Sequence, residues 1–226
     1  MTKSSVTATA VLNNPKTVRA WYMYDWANSV YSLVITSSIF PIYYKAVTTT
    51  DGSDQVQFLG YGMQNSVLYS YALSFSFLMV AIMLPFLSGV ADYSGRKKSF
   101  MKFFVWLGGL SCIGLYFFDS VTMLWWGILC SIFASIGYSG SLVFYDAFLP
   151  EIVTEDRYDV TSARGYSMGY YGSVILMIIC LMIILNFVSF AFSSEGTATR
   201  FTFLLVGAWW IGFAMIPFSV LPENIF

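Results

Sequence analysis

Two aspartates set in otherwise apolar stretches have the greatest capacity for chemistry in this sequence: Asp25, within Trp21-Tyr22-Met23-Tyr24-Asp25-Trp26, and Asp146, within Val143-Phe144-Tyr145-Asp146. A charged aspartate near the centre of a helix in hydrocarbon costs about 2.5–3.5 kcal/mol, so something must offset it. Counted at about 1.5 Å per residue from Trp21, Asp25 lies about 6 Å inside the interface, and Asp146, just ahead of Pro150, is comparably shallow. No Lys or Arg lies deep in any apolar run, so an ion pair has only helix-end partners such as Arg96 and Arg164. For Asp25 the readings are a cytoplasmic gate, a proton-titrating site or a helix-end salt bridge; for Asp146 the helix-end salt bridge is preferred. The chain has no histidine, which removes His-ligated metals, the Ser-His-Asp triad and histidine relays. Cys112, Cys130 and Cys180 are far apart and lie inside apolar runs, so they read as small buried hydrophobes rather than disulfides or ligands. No metal or cofactor is expected.

The elements that must position these residues follow from composition. Of 226 residues, 58% are hydrophobic and only 10% charged, with a mean hydropathy of +0.69. A soluble domain carries roughly 25% charged residues to face water, so most of this exterior must face lipid. The net charge of −1 gives no field for nucleic acid. Six windows reach the ~20 apolar residues that span a bilayer: 21–44, 62–90, 100–118, 121–149, 166–192 and 201–221. Residues 1–20 read as a polar cytoplasmic segment, retained because no cleavage site follows, and 222–226 as a truncated carboxyl end. With the amino terminus inside, Lys3, Lys16, Arg19, Arg96, Lys97, Lys98, Lys102, Arg157 and Arg164 are cytoplasmic, against Lys45 and Arg200 outside. That bias predicts both termini in the cytoplasm.

Polar residues fall in stripes. Asp25, Asn28, Ser29, Ser32 and Thr36 share one face of the first span; Asn65, Tyr69 and Ser76 share one of the second; Ser131, Ser135, Tyr138 and Tyr145 share one of the fourth. Such stripes face a bundle interior or a wet cavity, or hydrogen-bond between helices. The candidate cavity set is Asp25, Asn28, Ser29, Ser32, Asn65, Tyr69 and Tyr138. Gly165-x-x-x-Gly169 with Gly172, and Gly137-x-x-Gly140, read as close-packing sites. Trp21, Trp26, Tyr43, Tyr44, Trp125 and Trp126 read as an interfacial belt.

Between spans two and three lies Ser88-Gly89-Val90-Ala91-Asp92-Tyr93-Ser94-Gly95-Arg96-Lys97-Lys98. Gly95 suits a tight turn at positive φ. The segment resembles the major facilitator signature G-x-x-x-D-[RK]-x-G-R-[RK], matched at Asp92, Gly95, Arg96 and Lys97; Ser88 and Tyr93 depart from it, and Tyr93 removes a usual charge. Trp21–Ser29, Ile39–Tyr44, Phe148–Ile152 and Ser162–Tyr170 are similar to one facilitator branch, that of the fungal vacuolar, autophagy-linked amino-acid effluxers and their bacterial relatives. The resemblance implies a major facilitator fold of about twelve spans, of which this chain supplies the amino-terminal six.

The expectation is therefore an all-α, six-span membrane protein forming one half of a secondary transporter. It would move a small solute, with amino acids as the candidate the resemblance supplies and protons as the candidate coupling ion. Asp92, Gly95, Arg96, Lys97, Asp146 and Arg164 would form the cytoplasmic loop and gate. Its partners would be the bilayer and a second six-helix half, either another copy or a separate chain, in a bacterial inner (plasma) membrane. A non-transporting subunit or inert fragment is the alternative. An intramembrane aspartyl protease, which needs two carboxylates sharing a proton, is the remote one, since its Gly-x-Gly-Asp context is absent.

Overall fold

The computed structural model describes residues 12–222. Among them, six helices are long and apolar enough to cross a membrane: α1 (Pro15–Thr48), α2 (Asn65–Ser94), α3 (Lys97–Phe117), α4 (Val121–Ile152), α5 (Glu155–Leu185) and α6 (Glu195–Val220). The chain is thus the six-span helical membrane protein expected, with one small addition. The α1–α2 connection, read as a Thr/Gly/Asp-rich loop, contains an antiparallel hairpin, β1 (Gln55–Phe58) and β2 (Tyr61–Gln64). Its turn residues Leu59 and Gly60 both sit at positive φ, 52° and 83°, the twist that a two-residue hairpin requires.

Helix ends differ from the apolar windows where polar signals override hydropathy. Helix α1 starts at Pro15 rather than Trp21, because the Asn14 side chain accepts from the Lys16 backbone N–H at 2.9 Å and Pro15 suits the first helical turn. The segment read as 1–20 is therefore helical from Pro15; residues 1–11, with Lys3, and 223–226 lie outside the described residues. Helix α5 begins at Glu155 and stops at Leu185, so the apolar residues 187–192 continue the hydropathy but not the helix. The Asn186 Nδ2 donates to the Met182 carbonyl at 3.0 Å, and Ala191 takes a positive φ of 59°.

Within α1, Tyr31–Ile39 winds as a π-helix immediately ahead of Pro41. Proline offers no N–H and crowds the carbonyl four residues back, and a wider turn relieves both problems. The Ser37 hydroxyl follows the wider register, donating to the Ser32 carbonyl at 2.8 Å.

Helix α1 packs against α5 and α6, α4 packs against α2 and α3, and α3 packs against α6. Exchanging α1 with α4, α2 with α5 and α3 with α6 reproduces that pattern. The bundle is thus two three-helix units with a common packing plan, as in nested transporter repeats. Close approach uses glycine: a Cβ on Gly137 of α4 would meet the Gly108 backbone and the Phe104 carbonyl of α3. Helix α2 is peripheral: in an apolar 18-residue window of it only 6% of the residues are buried. The Ser76 hydroxyl of α2 bonds Ser135 of α4 at 2.8 Å, the interhelical role foreseen for such serines. Cys112, Cys130 and Cys180 are buried free thiols.

Alternate connections separate the charges. Lys16, Arg19, Arg96, Lys97, Lys98, Lys102, Arg157 and Arg164 gather at one end, called here the basic end. Lys45 and Arg200 lie at the hairpin end, where Lys45 approaches Asp54 at 3.9 Å and Arg200 approaches Asp119 at 3.8 Å.

Candidate functional site

Asp25 faces inward from α1 and is 3% exposed. The Tyr145 hydroxyl of α4 donates to its Oδ2 at 2.8 Å. Tyr145 is itself held in place: Trp21 stacks on its ring at 4.3 Å with planes 14° apart, and the Trp21 Nε1 donates to the Tyr145 carbonyl at 3.1 Å. Helix α5 closes the third side. A Cβ on Gly165 would lie 2.7 Å from Asp25 Oδ2 and 2.8 Å from the Trp21 ring, and Gly169 and Gly172 meet Ser29 and the Trp26 carbonyl in the same way. The glycine stripe read as packing therefore brings α5 directly onto the face of α1 that carries Asp25. With its carboxylate hydrogen-bonded and its side chain enclosed, Asp25 escapes the full cost of a bare charge in hydrocarbon.

Beside this arrangement opens a cavity of about 290 Å³. Helix α1 contributes Asp25, Ser29, Ser32 and Ser37; α4 contributes Tyr138, Tyr145 and Asp146; α5 contributes Tyr166, Tyr170 and Ser173. Its lining holds two carboxylates and no Lys or Arg. The π-helical stretch sets Ser32 and Ser37 on this wall, an arrangement often found at functional sites. Tyr166 and Tyr170 are 63% and 73% exposed, so the cavity opens on the surface between α1, α4 and α5 rather than inside the bundle.

The structure brings together Asp25, Ser29, Ser32 and Tyr138 of the expected cavity set. Asn28 is fully buried behind them, its Oδ1 only 3.4 Å from the Ser29 hydroxyl and its Nδ2 without a partner among the described residues. Asn65 and Tyr69 lie elsewhere, at the hairpin end. The Asn65 Nδ2 donates to Thr48 Oγ1 at 2.9 Å and its carbonyl accepts from the Tyr44 hydroxyl at 3.0 Å; Tyr69 packs on Phe40 and Tyr44. Asn65 begins α2, so a residue counted as three positions into a span is instead at its terminus.

The residues expected at the cytoplasmic gate separate as well. Gly95 takes a φ of 65°, and the Arg96 N–H returns to the Ala91 carbonyl at 3.1 Å, which turns α2 into α3. The Asp92 side chain lies outside the described residues. Lys97 pairs with Glu151 at 2.6 Å, tying this turn to the end of α4. Arg96 lines a shallow groove with Leu87, Phe100 and Phe103, and Arg164 lines a different cavity with Arg19 and Arg157. Among the described residues no Lys or Arg pairs with Asp25 or Asp146, so the helix-end salt bridge read for Asp146 is replaced by an opening into the Asp25 cavity. Of the cavity residues absent from the expected set, those on α5, Tyr166, Tyr170 and Ser173, were legible as an i, i+4, i+7 face beside the glycines.

Six membrane-spanning helices in two similarly packed triplets, with a polar cavity on one lateral face, define one half of a major facilitator-type membrane protein. Residues 13–225 match the family model described as "Vacuole effluxer Atg22 like", and the chain belongs to that family. It is 37% identical over 203 residues to YxiO of Bacillus subtilis (strain 168), described as an uncharacterised MFS-type transporter, covering 89% of this chain and 45% of that protein. Autophagy-related protein 22 of Chaetomium globosum is 27% identical over 162 residues, 62% of this chain and 24% of the relative. The corresponding protein of Cryptococcus neoformans var. neoformans serotype D is 30% identical over 152 residues, 63% and 27%. The chain spans half the length or less of these relatives. No solved structure matches it significantly. The chain is a multi-pass membrane protein, and its Bacillus subtilis relative is described as a transporter.

Proposed function

We propose that this chain is the amino-terminal half of a secondary transporter that moves a small solute by alternating access. The solute and a coupling proton would meet Asp25 in the cavity between α1, α4 and α5. The observation that carries this reading is the Asp25–Tyr145 pair, an enclosed carboxylate with one hydroxyl donor on the wall of a cavity lined by no cation. An intramembrane carboxylate held this way is costly to keep and reads as functional. Amino acids are the candidate solute on the strength of the resemblance alone; the family's description names efflux without a solute.

The basic end would face the cytoplasm, with both termini on that side, as the Lys/Arg asymmetry favours. The similarity to a bacterial protein supports residence in a bacterial inner membrane. The lateral face with Asp146, Tyr166 and Tyr170 would meet a second six-helix half, either another copy of the chain or a separate one. The mass of the chain in nanodiscs distinguishes these: a dimer supports self-association, and a monomer calls for a separate half. The test of function is uptake of labelled amino acids into proteoliposomes holding the chain with its completing half. Asp25→Asn is expected to abolish the response to an imposed pH gradient while solute binding persists; undiminished gradient-driven uptake would end the proton assignment.

A further inference from the structure

A second cavity, of about 420 Å³, lies at the basic ends of α1 and α5, and its charged lining residues are Arg19, Arg157 and Arg164. From this cavity we infer a binding site for the phosphate of an anionic lipid headgroup, held by these three arginines.

The charges are not neutralised within the protein. Among the described residues Arg19 and Arg164 pair with no carboxylate, and no acidic residue lines the cavity. Arg157 reaches Asp156 only at 4.0 Å, with both side chains more than half exposed, a contact of little worth. Three like charges around one hollow repel one another unless an anion lies between them. Guanidinium groups are the donors that best match phosphate oxygens, since each presents a planar fork.

The hollow is a built feature of the fold. The chain entering α1 is tied to the α4–α5 connection: the Asn13 N–H donates to the Ile152 carbonyl at 2.8 Å, Asn13 Nδ2 to Thr154 Oγ1 at 3.1 Å, and the Thr154 N–H to Asn13 Oδ1 at 3.2 Å. Asn13 holds a positive φ of 63° to make these bonds. Thr161, 4% exposed, also stands on the cavity wall. The remaining wall is largely apolar, from Pro15, Val18, Val153 and Val160 with the ring of Tyr22.

That combination selects a lipid over a free anion. Arg19 lies in the second turn of α1, Arg157 in the first turn of α5 and Arg164 in its third, so the guanidinium groups sit near headgroup depth, and Val18, Val153 and Val160 stand among them at the same end of the two spans. Basic pockets between helices at a membrane surface hold anionic headgroups by this division of labour, each nearby charge contributing about 1 kcal/mol. The site stands apart from the Asp25 cavity and does not depend on what is transported.

The test uses the full chain in detergent, stripped of lipid, with bound lipid read by native mass spectrometry during titration with phosphatidylglycerol, phosphatidylcholine or inorganic phosphate. Phosphatidylglycerol should be retained in preference to phosphatidylcholine, and millimolar inorganic phosphate should not displace it. The triple variant R19Q/R157Q/R164Q should bind phosphatidylglycerol about a hundredfold more weakly, about fivefold for each charge. R200Q, at the opposite end, should bind as the parent does. If the triple variant fails to fold, R164Q alone should show the fivefold loss. Equal retention by the variants, equal affinity for both lipids, or displacement by inorganic phosphate would each overturn the assignment.

Discussion

Replacing Gly165 by alanine tests the geometry on which the Asp25 site depends. The added Cβ would lie 2.7 Å from Asp25 Oδ2, 2.8 Å from Trp21 Cζ3 and 3.1 Å from the Tyr145 hydroxyl. None of these neighbours can retreat freely: Trp21 is stacked on Tyr145 and 2% exposed, and the carboxylate is held by the Tyr145 hydroxyl. Overpacking of this kind costs about 1–3 kcal/mol. Glycine to alanine within a helix also gains about 1 kcal/mol in propensity, which partly masks the loss. Gly212, within α6, supplies the reference, because a Cβ there meets nothing within 4 Å. The propensity gain is common to both variants, so Gly165→Ala should be less stable than Gly212→Ala by about 1–3 kcal/mol. Reversible unfolding by SDS in mixed micelles, followed by tryptophan fluorescence, measures that difference. Two variants of equal stability would mean that α5 does not press on Asp25 as described, and the site would have to be rebuilt without it.

Two further outcomes follow from the same contacts. Asn65→Ala removes the donor to Thr48 at the start of α2 and should cost about 1 kcal/mol of stability in the SDS titration while leaving solute affinity unchanged; a selective loss of affinity would return Asn65 to the cavity. Lys97 and Glu151, with side chains 23% and 19% exposed and 2.6 Å apart, should show a coupling energy above the ~1 kcal/mol ceiling of exposed pairs and little salt dependence in a double-mutant cycle, whereas coupling near zero would make the link between the α2–α3 turn and α4 incidental.

The membrane class and the six spans were legible because hydrocarbon imposes a length and a polarity on every crossing segment, and both can be counted along the chain. Span ends were less legible. Asn14 and Pro15 start α1 ahead of its apolar run, and Asn186 ends α5 within one, because capping hydrogen bonds act where hydropathy is indifferent. The periodicity of α1 put Asp25, Ser29 and Ser32 on one helix face, and all three line the cavity. The same reasoning carried Asn65 and Tyr69 too far, because a helical face specifies a direction but not a depth.

What the sequence by itself determined is the kind of protein: too few charges for a soluble surface, six apolar crossings, a basic asymmetry between loops, and two aspartates that must find an offset. Only the tertiary structure decided what that offset is. Tyr145 reaches Asp25 across 120 residues of chain, Gly165 lets α5 close against it, and Asp146 turns toward the same cavity instead of an arginine. Of the arginines that seemed available to the aspartates, Arg164 lines a separate hollow at the basic end and Arg96 a groove beside Phe100 and Phe103. The physical reason is that local sequence sets helix length and face, whereas helix order and close approach are set by side-chain volumes on other segments, which no single stretch encodes.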